Sequence, residues 1–367
     1  MQPRPDHLTT ASSGAGVRPR PKLAPLAPAR PSAATDACER LALHGLRLEI
    51  RGNWPEVVEE VARDFAWFRA TADRRSPDMT IELERGSPDW DSLGAPLASF
   101  VTPRNVVYQD GDRTIVDYFG RAVALLDRDA ARISIRGEDA HLVREAAYHF
   151  VLSRIGEHLD ARRMPRLHAL ALAGRSGGVA ILLPSGGGKS TLSLRALADP
   201  QVRLLAEDTP LLDPRGRIHP FPLRIGVNPT DAERLPPGAV RRFERMEFHP
   251  KLVLDVSAFA DRIEPHPQPL RHLVIGQRSL GMDARLERAP ARAAAGPLLR
   301  ECVVGVGVYQ GMEFVLQRGM RDVVGKGRQA AVRARCCAAA LRHAQVWRLT
   351  LGRDTERNWE ALGPLLH

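Results

Sequence analysis

The sequence predicts an α/β fold, and three observations carry that expectation. A mostly apolar run, Val179-Ala180-Ile181-Leu182-Leu183, empties into a glycine loop closed by Lys189-Ser190-Thr191. A second apolar run, Val202-Arg203-Leu204-Leu205-Ala206, ends in two carboxylates, Glu207 and Asp208. Between residues 37 and 160, short segments of period-two alternation interleave with helical patterns.

The elements follow in order. Residues 1–36 are rich in Pro, Ala, Ser and Arg without hydrophobic periodicity, which predicts a disordered tail that carries no chemistry. Residues 37–160 read as a smaller N-terminal α/β domain of meander type. Its strands are expected at 45–50, 78–83, 105–109, 114–117, 122–127 and 131–136, and its helices at 55–69 and 140–158. Residues 161–367 form the second domain. The runs 167–173 and 179–183 flank Gly174-Arg175-Ser176-Gly177-Gly178 and predict a hairpin. A helix is expected from Thr191, and a turn at Asp213-Pro214-Arg215-Gly216. Strands are expected at 270–275 and 302–308, and a basic helix at 329–344. Gly305-Val306-Gly307 has no helix start behind it and so does not read as a dinucleotide site.

Composition narrows the function. The hydrophobic fraction is 44% and no run approaches eighteen apolar residues, so neither membrane insertion nor a secretory signal is indicated and the cytoplasm is the expected compartment. The net charge of +10 is confined to two segments: residues 1–35 carry five basic groups and one acid, and residues 314–346 seven basic groups and one acid. The rest of the chain is near neutral and its aromatics do not interleave with Arg, so no nucleic-acid partner is expected. The four cysteines, Cys38, Cys302, Cys336 and Cys337, lack the spacing of a disulfide framework or a zinc site. Self-association stays open.

The glycine loop carries the chemistry. Consecutive glycines let the backbone turn successive N–H groups onto phosphate oxygens, Lys189 supplies a point charge, and Ser190 offers a hydroxyl for Mg²⁺. The candidate nucleotide-binding residues are therefore Ser185, Gly186, Gly187, Gly188, Lys189, Ser190 and Thr191. Leu183 stands where such loops usually begin with glycine, so this loop starts differently. The acids after the strand at 202–206 fit an arrangement in which a carboxylate lies beside the phosphates. The alternative is a solvated turn beside a loop that binds nothing. Lys251, Arg271 and Arg278 read as ordinary surface charges.

Taken together, Leu167-His168-Ala169, Ser185-Gly186-Gly187-Gly188-Lys189-Ser190 and Leu205-Ala206-Glu207-Asp208 resemble the HPr serine kinase/phosphorylase family, over roughly residues 165–225. The resemblance implies a P-loop kinase domain similar in fold to phosphoenolpyruvate carboxykinase. It implies ATP and Mg as cofactors, and a serine or similar hydroxyl of a peptide or small protein as phosphoacceptor. It also implies catalytic roles for His168, Lys189, Glu207 and Asp208, with Glu207 as general base and Ser190 and Asp208 on the metal. The family has Asp where this chain has Glu207, and its downstream arginine segment has no counterpart here. Without the resemblance, His168 reads as a hydrogen-bonded core residue. The alternative function is a nucleotide-binding regulatory or scaffold protein that keeps the loop without kinase activity.

Overall fold

The computed structural model of the chain describes residues 37–70, 73, 75–184, 186–245, 249–305 and 320–367. The expected disordered tail at 1–36, the loop residue Ser185 and the 306–308 end of an expected strand lie outside the described residues.

The first sheet starts with a hairpin of β1 (Ala37–Leu43) and β2 (Leu46–Gly52). Its two-residue turn, His44-Gly45, has positive φ at both positions, 48° and 89°, the backbone that matches strand twist. Helix α1 (Pro55–Asp64) has proline in its first turn and leads across to β3 (Met79–Arg85), which runs parallel to β2. A meander follows: β4 (Ala98–Val101), β5 (Val106–Asp110), β6 (Arg113–Asp117), β7 (Ala122–Asp127) and β8 (Arg132–Gly137). The spatial order is β1-β2-β3-β8-β7-β6-β5-β4. Helix α2 (Ala140–Ala161) begins where the Asp139 carboxylate accepts the N–H groups of His141 and Leu142. Phe65, Phe150, Ile81, Leu83, Ile133 and Ile135 are fully buried in this core. The helix expected at 55–69 stops at Asp64, because a 3-10 turn at Ala66–Phe68 instead brings Phe65 and Phe68 inward.

The second sheet is built from β9 (Leu170–Gly174), β10 (Gly177–Leu182), helix α3 (Lys189–Ala198) and β11 (Arg203–Ala206). The chain continues through β12 (Leu211–Leu212), β13 (Arg217–His219), β14 (Ile225–Val227), α4 (Pro229–Ala232), β15 (Val240–Phe243) and β16 (Lys251–Leu254). It ends with β17 (Gln268–Arg278), β18 (Arg285–Ala289), α5 (Ala295–Leu298), α6 (Met320–His343), β19 (Gln345–Leu351) and α7 (Thr355–Leu366). Strands β10, β17 and β19 are parallel neighbours, β9 pairs antiparallel with both β10 and β11, and β14, β16 and β15 make a small separate sheet.

Both faces of this sheet are covered, which is why β9 and β10 read as nearly continuous apolar runs. Leu170, Leu172, Val179 and Ile181 meet α3 and α7 on one face through Leu192, Ala196, Leu362 and Leu365. The intervening Ala171, Ala180 and Leu182 meet α5 and α6 on the other face through Leu298, Cys336 and Ala340. The molecule is thus a mixed α/β protein with several sheets. No helix among the described residues is long and apolar enough to cross a membrane.

One expected strand is corrected. Residues 299–304, which include the start of the expected 302–308 strand, form a π-helical turn that ends at Gly305 with φ 74°. Glu301 and Cys302 are both buried there.

Candidate functional site

Topology gathers the site at one edge of the second sheet. Strands β10 and β11 both run antiparallel to β9, so the ends of β10 and β11 lie beside the start of β9. The glycine loop leaves β10 there, Glu207 and Asp208 follow β11, and His168 precedes β9. Backbone bonds fix this approach: the Ala169 N–H donates to Asp208 O at 3.1 Å, and the Leu167 N–H to Pro210 O at 2.8 Å.

The loop needs its glycines. Gly186 and Gly188 hold φ of 72° and 106°, and a Cβ at Gly187 would sit 2.8 Å from the Pro184 carbonyl oxygen. Gly188 caps α3 and has no side chain to close that helix end, so the first-turn N–H groups of a ten-residue helix face the loop with the positive end of its dipole. The start of the loop at Leu183 now has a physical reason. The Leu183 side chain covers Gly276 of β17, where any side chain would collide with it, and its carbonyl accepts the Lys189 ammonium at 3.0 Å.

Lys189 is buried, and its Nζ also lies 2.8 Å from His168 Nε2 and 3.4 Å from Asp208 Oδ1. His168 Nε2 is 3.1 Å from Asp208 Oδ1, and its Nδ1 is 2.7 Å from Glu301 Oε2. The Ser190 hydroxyl donates to Glu207 Oε1 at 2.7 Å. The structure thus joins Ser190 to Glu207, and Lys189 and His168 to Asp208, whereas the sequence reading had set Ser190 with Asp208. Thr191 sits in the first turn of α3, and no partner of its side chain is found among the described residues.

Electrostatics separate the two acids. Burial pushes the Glu207 carboxyl up and the charge of Asp208 pushes it further, to about 7, against the lowering effect of the Ser190 hydrogen bond. Burial acts upward on Asp208 as well, but the hydrogen bond from His168 and the Lys189 charge outweigh it and hold Asp208 below its ordinary value. Asp208 nevertheless keeps 44% of its side-chain surface open and is not sealed. For His168 burial opposes the charged form, and the hydrogen bonds to Asp208 and Glu301 overcome it and raise the value.

The loop N–H groups and the Lys189 ammonium are donors of the kind that can hold phosphate oxygens. Mg²⁺ is commonly held by one or two carboxylates together with phosphate oxygens, and the hydroxyl–carboxylate pair of Ser190 and Glu207 is of that kind. No cluster of three or more His, Cys, Asp or Glu side chains suited to a metal ion occurs among the described residues.

Sequence reasoning missed three groups. Glu301 lies 133 positions from His168 and carries no local motif. The Leu183 carbonyl is a backbone group and leaves no trace in residue type. Arg278, read as a surface charge, has its guanidinium 3.8 Å from where a Gly188 Cβ would stand. No protein-family model and no curated protein matches the chain.

Proposed function

We propose that the protein is an ATP-dependent phosphotransferase that moves the γ-phosphoryl group of ATP to a serine or similar hydroxyl of a peptide or small protein. The observation that carries this reading is the assembly at one sheet edge of an open glycine loop, a buried lysine, a hydroxyl–acid pair and a second acid held by histidine and lysine. Phosphoryl transfer asks a protein chiefly to position reactants and neutralise charge, and these groups do both.

In this reading the loop N–H groups and Lys189 hold the β- and γ-phosphates. Ser190 and Glu207 would hold Mg²⁺, which when bound supplies charge neutralisation on the phosphate oxygens. The acceptor hydroxyl oxygen attacks the γ-phosphorus, the bond to the β–γ bridging oxygen breaks with its electron pair leaving on ADP, and the hydroxyl proton passes to a carboxylate. Geometry is weighed before acidity in choosing that carboxylate. Glu207 is engaged by Ser190, whereas Asp208 is partly exposed and oriented by His168, so we assign the base role to Asp208 in preference to Glu207.

Transfer of label from γ-labelled ATP·Mg²⁺ to a serine-containing peptide library tests the reading. Labelled peptide is the expected result. ATP binding without transfer to any hydroxyl would favour the regulatory alternative.

A further inference from the structure

We infer that Glu301 is a positioning residue of this site, which fixes the orientation and tautomer of His168 so that its Nε2 faces Lys189. The inference rests on the phosphotransferase reading for its consequence and on geometry alone for its substance. Glu301 belongs to the Leu299–Val304 π-helical turn and is 3% exposed. Its backbone carbonyl accepts the His168 N–H at 3.0 Å, and its carboxylate Oε2 lies 2.7 Å from His168 Nδ1, so one residue grips both the main chain and the ring. Its other oxygen, Oε1, accepts the Arg300 Nε–H at 2.6 Å, which holds the carboxylate in place.

The tautomer follows from donor and acceptor rules. A carboxylate can only accept, so Nδ1, 2.7 Å from Glu301 Oε2, carries a proton, whereas Nε2 lies between the Lys189 ammonium at 2.8 Å and Asp208 Oδ1 at 3.1 Å. The ring proton then sits on Nδ1, and Glu301 is its acceptor. Glu301 thus holds from behind the ring whose Nε2 meets Lys189 and Asp208, while Lys189 itself also donates to the Leu183 carbonyl. A ring without this acceptor is free to rotate away from Lys189 and Asp208 or to give up its Nδ1 proton.

The test combines nitrogen-15 NMR of the histidine rings with turnover of γ-labelled ATP·Mg²⁺, read as released labelled phosphate. The His168 signals are assigned by their loss in His168→Gln. In the wild type, Nδ1 is expected to carry a proton. Glu301→Met keeps the volume but removes the acceptor; it is expected to mix the tautomers and lower kcat about 10- to 100-fold, the scale for partners that orient a working histidine, while the KM for ATP stays unchanged. Glu301→Gln, which retains an acceptor oxygen without the charge, is expected to keep the Nδ1 proton. An unprotonated Nδ1 in the wild type would overturn the inference even if Glu301→Met does not fold. A Glu301→Met protein with wild-type tautomer or wild-type kcat would overturn it as well. If the wild type turns over no ATP, the phosphotransferase reading fails, and the tautomer still decides for or against Glu301.

Discussion

Glu82 in the first sheet and Glu207 beside the second are both acids enclosed by protein, and they are kept in opposite ways. Glu82, 5% exposed, receives Arg51 Nη2 at 2.6 Å on one oxygen and Arg132 Nε at 2.6 Å on the other. Among the described residues Glu207 is hydrogen-bonded by a serine hydroxyl, with no arginine paired to it, and its sequence neighbour is another carboxylate. A structural charge is compensated by opposite charges across the sheet, where the cost of desolvation is offset. The acid at the loop is crowded by like charge, an arrangement that no packing requirement explains and that a bound cation would relieve.

The contrast can be broken in three places. Asp208→Asn strikes the functional side hardest: phosphoryl transfer is expected to fall about 10²- to 10⁴-fold, the range for losing a general base, with ATP affinity largely kept. Transfer at the wild-type rate would return the base role to Glu207 or to another group. Glu82→Ala should do the reverse. It leaves Arg51 and Arg132 without their carboxylate, and since these are 49% and 20% exposed the expected loss of stability is about 1–3 kcal/mol, measured by denaturant unfolding, with no change in ATP·Mg²⁺ affinity.

Glu207→Gln gives the smallest and most pH-dependent effect. The folded value of about 7 lies above the ordinary 4.5, so the native state holds its proton longer than the unfolded chain and stability declines as pH rises from 4.5 to 7. The amide has no proton to lose. Above pH 7 the variant should therefore melt about 2–4 °C higher than the wild type, the scale of a roughly 1 kcal/mol gain, and the difference should vanish below pH 4.5. Identical melting curves at pH 8 would mean that Glu207 is not under like-charge strain.

The difference between the sheets also explains what could be read from sequence. Alternation in β2 and β3 is a local signal, and β2, β3, β5, β6, β7 and β8 lie within a few residues of the expected strands, whereas β1 and β4 were not anticipated. The loop from Gly186 to Ser190 and the acids after β11 were legible because their residue types and order are dictated by the chemistry they suit. Glu301 was not, since it reaches His168 only through the return of the chain after α5. The run Cys302-Val303-Val304 looked like a strand because β-branched residues favour one. The turn instead sets Glu301 against His168 and Cys302 in the apolar layer with Cys336 and Ala340 of α6. Which acid pairs with Ser190 was likewise invisible, since Glu207 and Asp208 are adjacent and of one chemical type.

The most direct test of the central claim is calorimetric titration of ATP·Mg²⁺ into the wild type and Lys189→Ala. In the proposed site the loop and its buried lysine make the phosphate contacts, so the wild type should bind one equivalent, and the variant, with an unchanged circular dichroism spectrum, should bind about 10²-fold or more weakly, as expected when a fixed cation at the phosphates is lost. No binding by the wild type, or equal affinity in the two proteins, would contradict the assignment of this sheet edge as a nucleotide site.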